Sequence, residues 1–103
     1  MIKLKDKYRR SGMDISKVYE NDNMYIYSTY IDGWFNSYEL FFKRIYKPDK
    51  FHDDEHEKYP SDESFGTLAW SCSSENSVRK ILKRKFKYND YKISQICSTV
   101  IRK

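Results

Sequence analysis

The sequence predicts an α+β domain, with a small antiparallel β-meander of about four strands, one amphipathic helix, and a C-terminal strand or second helix. Three observations carry this expectation. Aromatic residues make up 17% of the chain, ten of them Tyr, and such side chains suit pleated, half-buried surfaces. An Asp-Gly pair stands between two aromatic runs, as a tight hairpin turn requires. A helical stripe with cationic flanks follows in the last third of the chain. The 103 residues fit one domain over 1–103.

Ile15 to Glu20 reads as a short strand closed by Asn21-Asp22-Asn23, turn residues that bond their own backbone. Met24 to Ile31 is a second strand, and Asp32-Gly33 supplies the positive φ angles of a two-residue turn. Trp34 to Tyr46 returns as its partner. A regular ladder would set Ile31 opposite Trp34, Tyr27 opposite Tyr38 and Tyr25 opposite Leu40. The other face would hold Met24, Ile26, Tyr30, Phe35 and Phe41. Both faces of this hairpin are apolar, so one packs on the core and the other needs a second cover or a partner.

Pro48 ends that strand, and residues 48–64 read as a long acidic loop. Loops of this length are uncommon and often functional or mobile. Phe65 to Ser71 resumes as a strand, and Ser73 or Ser74 is placed to cap a helix with Glu75 in its first turn. Val78, Ile81, Leu82 and Phe86 form the buried stripe of that helix, which Asn89-Asp90 stops. The last segment is ambiguous. Ile93, Ile96, Cys97, Val100 and Ile101 match the helical template, while their β-branched character favours a strand with Tyr91, Ile93, Cys97 and Ile101 on one face. The strand is the expectation.

Charge is unevenly distributed. Of the net charge of +5, residues 1–10 contribute +4, residues 11–47 −1, residues 48–64 −5 and residues 65–103 +7. The amino-terminal block reads as a basic arm. The ordinary reading of such asymmetry is an acidic loop neutralising a basic face within the fold.

Composition also excludes classes. The aromatic content excludes a disordered chain. No apolar run approaches the ~20 residues of a membrane helix, and Met1 to Lys5 does not lead into a signal-peptide core. Two Cys without a spacing motif predict reduced thiols in a cytoplasm. A single Ala and a single Gln against fourteen Lys and nine Ile deviate from average usage. Lys, Tyr, Ile and Asn have AT-rich codons, so a low-GC genome such as that of a phage or mobile element is the expected source.

Three groups of residues bear on chemistry. His52-Asp53-Asp54-Glu55-His56 is the most metal-like cluster, but it lacks the order of a zinc-protease motif. The plainer reading is a solvated acidic loop, with no metal and no cofactor expected, or one touching the basic helix in a pH-dependent way. Cys72 precedes a helix N-terminus, where a thiol pKa falls, yet no general base or oxyanion glycines accompany it. A small buried Cys is expected there, and no enzymatic activity. Arg79, Lys80, Lys83, Arg84 and Lys87 flank the helix and cannot all be buried. With Tyr25 and Tyr27 exposed for stacking, they would suit DNA or RNA. Without stacking they remain an electrostatic docking face.

The expected function is therefore that of a small, non-enzymatic phage-type protein. It would dock on and inhibit a host protein or nucleoprotein in the cytoplasm, as anti-CRISPR and other anti-defence proteins do. Direct nucleic-acid binding is the alternative. Its charge is opposite to that of a DNA mimic, no membrane partner is expected, and an exposed aromatic face would equally serve a homodimer.

Overall fold

Aromatic and β-branched residues over 13–42 build the sheet on which everything else is placed. The computed structural model describes residues 2–101. Met1, Arg102 and Lys103 lie outside the described residues. The strands are β1 (Lys7–Arg10), β2 (Met13–Glu20), β3 (Met24–Ile31), β4 (Trp34–Phe42), β5 (Ile45–Tyr46), β6 (His56–Glu57) and β7 (Ala69–Cys72), and the helices are α1 (Glu75–Arg84) and α2 (Asp90–Ile101). β1-β2-β3-β4-β7 form one antiparallel sheet in that order, and β5-β6 form a separate two-stranded ribbon. The α+β class is as the sequence predicts.

The hairpin turn is also as predicted. Asp32 and Gly33 both have positive φ, at 52° and 82°, and Ile31 pairs with Trp34. The ladder beyond it departs from expectation. Thr29 pairs with Ser37 while Tyr30 pairs with Phe35, so Asn36 is an extra residue on β4. A bulge of this kind exchanges the faces of all that follows it. Tyr27 therefore lies opposite Glu39, not Tyr38, and Tyr25 opposite Phe41, not Leu40. Leu40 joins Met24 and Ile26 on one face, and Phe41 joins Tyr25 and Tyr27 on the other.

The first face is covered by the helices. Ser74 accepts a hydrogen bond from the Ser77 amide and caps α1, which buries Val78, Leu82 and the following Phe86. The C-terminal segment is a helix, contrary to the strand expected. α1 ends at Arg84, five residues before the stop expected at Asn89-Asp90, and Asn89 has a different role. Its side-chain oxygen accepts from the Lys92 amide at 2.8 Å and so starts α2. Ile93, Ile96, Cys97 and Val100 then bury one stripe, while Tyr91 stays exposed. Strand propensities differ by only ~1 kcal/mol across residue types, which four buried side chains outweigh.

The second face carries Ile15, Tyr25, Tyr27, Phe41 and Ala69 and is covered by Leu4, Tyr8 and Tyr59. The acidic segment 48–64 is thus not a free loop, because Tyr59 lies edge-on against Tyr27 and Phe41 at 5.2 and 5.0 Å. Nor are residues 1–10 a free arm. Ile2 bonds the backbone at Glu55 and Glu57, Leu4 is buried, and Lys7–Arg10 pair with Met13–Ser16. Edge pairing and apolar burial hold a segment that charge alone would leave in solvent.

Candidate docking surface

α1 presents its cations on the side away from the sheet. Lys80, Lys83 and Arg84 are exposed and Arg79 is half-buried. Lys87 is exposed too, but it lies past the helix end, with φ at 61°. Its left-handed backbone turns the chain so that the Tyr88 amide reaches the Leu82 carbonyl at 3.2 Å. Arg79 pairs with Glu75 at 2.9 Å and Lys83 with Asp90 at 3.4 Å. Lys80, Arg84 and Lys87 have no ion-pair partner among the described residues. Lys83 and Arg84 also sit at the negative end of the helix dipole.

The acidic segment does not neutralise this face. Glu57 and Tyr59 lie against the opposite side of the sheet, so the expected contact between acidic loop and basic helix does not form. The amino-terminal cations are instead engaged within the fold. Lys3 pairs with Glu20 at 3.0 Å, Arg9 with Asp14 at 2.6 Å, and the Arg10 guanidinium lies 5.7 Å from the Tyr59 ring centre.

Tyr25 and Tyr27 are not available to stack bases. They are 1% and 0% exposed, because the amino-terminal segment and Tyr59 close over the face that carries them. The Tyr25 hydroxyl donates to Glu57, and the Tyr27 hydroxyl donates to the Lys5 carbonyl at 2.7 Å. Burial holds both phenols well above their ordinary pKa.

A different aromatic group is exposed. Trp34 is 80% exposed at the hairpin tip, beside Ile31 and Phe35, also exposed. Phe35 is braced by Tyr38 at 4.7 Å and by Tyr30 at 5.9 Å. Below the tip, the Thr29 and Ser37 hydroxyls lie 2.8 Å apart and Asn36 donates to Thr29 at 3.1 Å, which fixes the bulge. The result is an indole on a braced turn, the residue type and setting of an interface anchor. Its signal in the sequence is position: apolar residues flanking a two-residue turn project beyond any covering layer.

Cys72 is buried, and burial alone pushes its thiol up to about 11, the reverse of what a nucleophile needs. His52 and His56 stack with ring centres 3.9 Å apart, and the carboxylate beside them is that of Asp49, not of Asp53, Asp54 or Glu55. No described helix is long and apolar enough to cross a membrane.

This arrangement defines a sheet domain covered on both faces, with a basic helix face only partly neutralised and an exposed aromatic tip. Comparison with known protein families, curated proteins and solved structures finds no match to the chain.

Proposed function

We propose that the protein is a non-enzymatic binding protein, of the kind phages and mobile elements encode, that docks on and inhibits a host protein or nucleoprotein. An anti-CRISPR-like role belongs to this class. The observation that carries the reading is the pairing of an exposed Trp34, beside a braced Phe35, with a basic α1 face on which Lys80, Arg84 and Lys87 have no ion-pair partner among the described residues. Tryptophan and arginine anchors dominate binding energy at protein interfaces, and unneutralised charge steers the encounter with an acidic partner face. Burial of Tyr25 and Tyr27 removes the stacking platform on which direct single-strand recognition would rest.

The test has two arms. Fluorescence anisotropy with single-stranded and duplex DNA and RNA is run at about 50 and about 200 mM salt, where phosphate contacts show as a steep loss of affinity. Weak or absent binding is expected. The purified partner, recovered from host lysate on wild-type protein, is then titrated with wild type, Trp34→Ala and a Lys80/Lys83/Arg84/Lys87→Glu variant, and its activity is assayed. Inhibition by wild type and its loss in both variants are expected. Micromolar or tighter binding to naked nucleic acid, unchanged by Trp34→Ala, would overturn the reading in favour of nucleic-acid recognition.

A further inference from the structure

Asp49 and His52 exchange backbone hydrogen bonds, Asp49 N–H to the His52 carbonyl at 2.9 Å and His52 N–H to the Asp49 carbonyl at 3.2 Å. This closes a tight turn around Lys50-Phe51 and sets the two side chains together, with Asp49 Oδ1 3.1 Å from His52 Nδ1. His56, in β6, stacks on His52 with planes 13° apart. One potential ligand atom from each of Asp49, His52 and His56 lies within 4.8 Å of the other two.

The inner imidazole carries the argument. His56 is 1% exposed. Its Nδ1 lies 3.0 Å from the Asp54 carbonyl, and a carbonyl only accepts, so Nδ1 bears the proton and the neutral ring keeps a lone pair on Nε2. That Nε2 is buried without a hydrogen-bond partner, the single such side-chain atom among the described residues. Orphaned buried polar atoms are costly and rare. A ring held through Nδ1–H on a backbone carbonyl, with the other nitrogen free beside further donors, is how metal-bound histidines are oriented.

We propose that Asp49, His52 and His56 bind one zinc ion, with water as the fourth ligand. Two imidazoles and a carboxylate suit this borderline ion, whereas calcium and magnesium require oxygen donors throughout. Zinc at ~2.0–2.1 Å from each ligand places ligand atoms ~3.3 Å apart, near the separation already present between Asp49 and His52. The ion must lie in the plane of each imidazole, so the stacked rings splay apart on binding. His56 is held in β6 against Tyr46, at 5.9 Å between ring centres, and half-exposed His52 is the ring that turns. Lys58 Nζ, 3.8 Å from Asp49 Oδ2, opposes the ion. The role is structural. Zinc would tie the Asp49–His52 turn to His56 in β6, whose sequence neighbours Glu55 and Glu57 already bond the backbone of Ile2 at 2.9 Å each, and so fasten the cover over the second face.

The full chain, stripped by chelator, is titrated with zinc sulfate by calorimetry and its thermal midpoint is followed at each concentration. One zinc per chain at micromolar Kd and a midpoint that rises with zinc are expected. His52→Ala should weaken binding by at least ~10-fold while leaving the midpoint in chelator unchanged. Asp49→Asn, which keeps the oxygen that accepts from the Phe51 amide, is the second variant and should weaken it similarly. Lys58→Met should tighten binding several-fold. Absence of saturable binding up to about 100 μM zinc, where a micromolar site would show a clear midpoint shift, overturns the proposal. Undiminished binding by the His52 and Asp49 variants overturns it equally.

Discussion

The Tyr25 hydroxyl donates a 2.5 Å hydrogen bond to Glu57 Oε1, and the Leu4 amide donates to the same oxygen at 3.1 Å. One buried carboxylate oxygen thereby joins β3, β6 and the amino-terminal segment. Burial first, and the neighbouring carboxylate second, hold the Tyr25 phenol above its ordinary range. Glu57→Leu leaves two buried donors unpaired and is expected to cost ~2–4 kcal/mol. Glu57→Gln retains an oxygen acceptor and should cost less than half as much. Urea unfolding of the two variants checks this, and equal losses would show that the donors find other partners.

Deleting residues 1–8 removes Leu4 from the core, Tyr8 from its packing against Tyr27 and Tyr59, and two of the four β1 residues paired with β2. Loss of this much buried apolar surface is expected to cost several kcal/mol and to lower the thermal midpoint by more than ~10 °C. A midpoint within a few degrees of wild type would restore the reading of this segment as a detachable arm.

Glu20 is held by Lys43 at 2.7 Å, Lys17 at 2.9 Å and Lys3 at 3.0 Å. The Lys43 hydrogen bond, followed by that of Lys17, lowers its carboxyl to about 2. Its folded pKa is depressed, so the stabilisation is full above about pH 4.5 and is lost as pH falls from there toward about 2. Solvent screening limits it to ~1–2 kcal/mol. Glu20→Gln should lower stability at pH 7 and flatten its decline between pH 4.5 and 2. An acid limb as steep as that of wild type would assign the decline to other carboxylates.

Trp34 projects from a turn whose backbone is fixed by Asp32-Gly33 and the Asn36 bulge, so truncating it disturbs no packed layer. Trp34→Ala should leave the thermal midpoint within ~2 °C of wild type, as surface substitutions do, while reducing affinity for the partner by ~30-fold or more. The charge-reversed α1 variant should instead slow association and abolish its salt dependence. Affinity that survives Trp34→Ala would place the anchor elsewhere.

Local chemistry was legible wherever a few neighbouring residues decide a conformation. Asp32-Gly33 takes its positive φ angles from its own sterics, Ser74 caps α1 through a hydroxyl three residues from its donor, and Val78, Leu82 and Phe86 follow helical spacing. The basic α1 face was legible for the same reason, because those cations cannot all be buried on so short a helix. Tertiary structure decided the rest. Asn36 is an ordinary strand residue by type, and only the packing of both sheet faces selects the bulge that sends Leu40 to one core and Phe41 to the other. The C-terminal segment satisfies strand and helix patterns alike, and α1 with the sheet supplies the apolar surface that makes it a helix. Both hairpin faces read as apolar, yet what covers the second one is Leu4 and Tyr59, distant residues in segments whose charge suggests solvent. That cover buries Tyr25 and Tyr27 and sets Glu57 against the Tyr25 hydroxyl. None of these follows from spacing along the chain, because each depends on contacts that exist only once the sheet has formed.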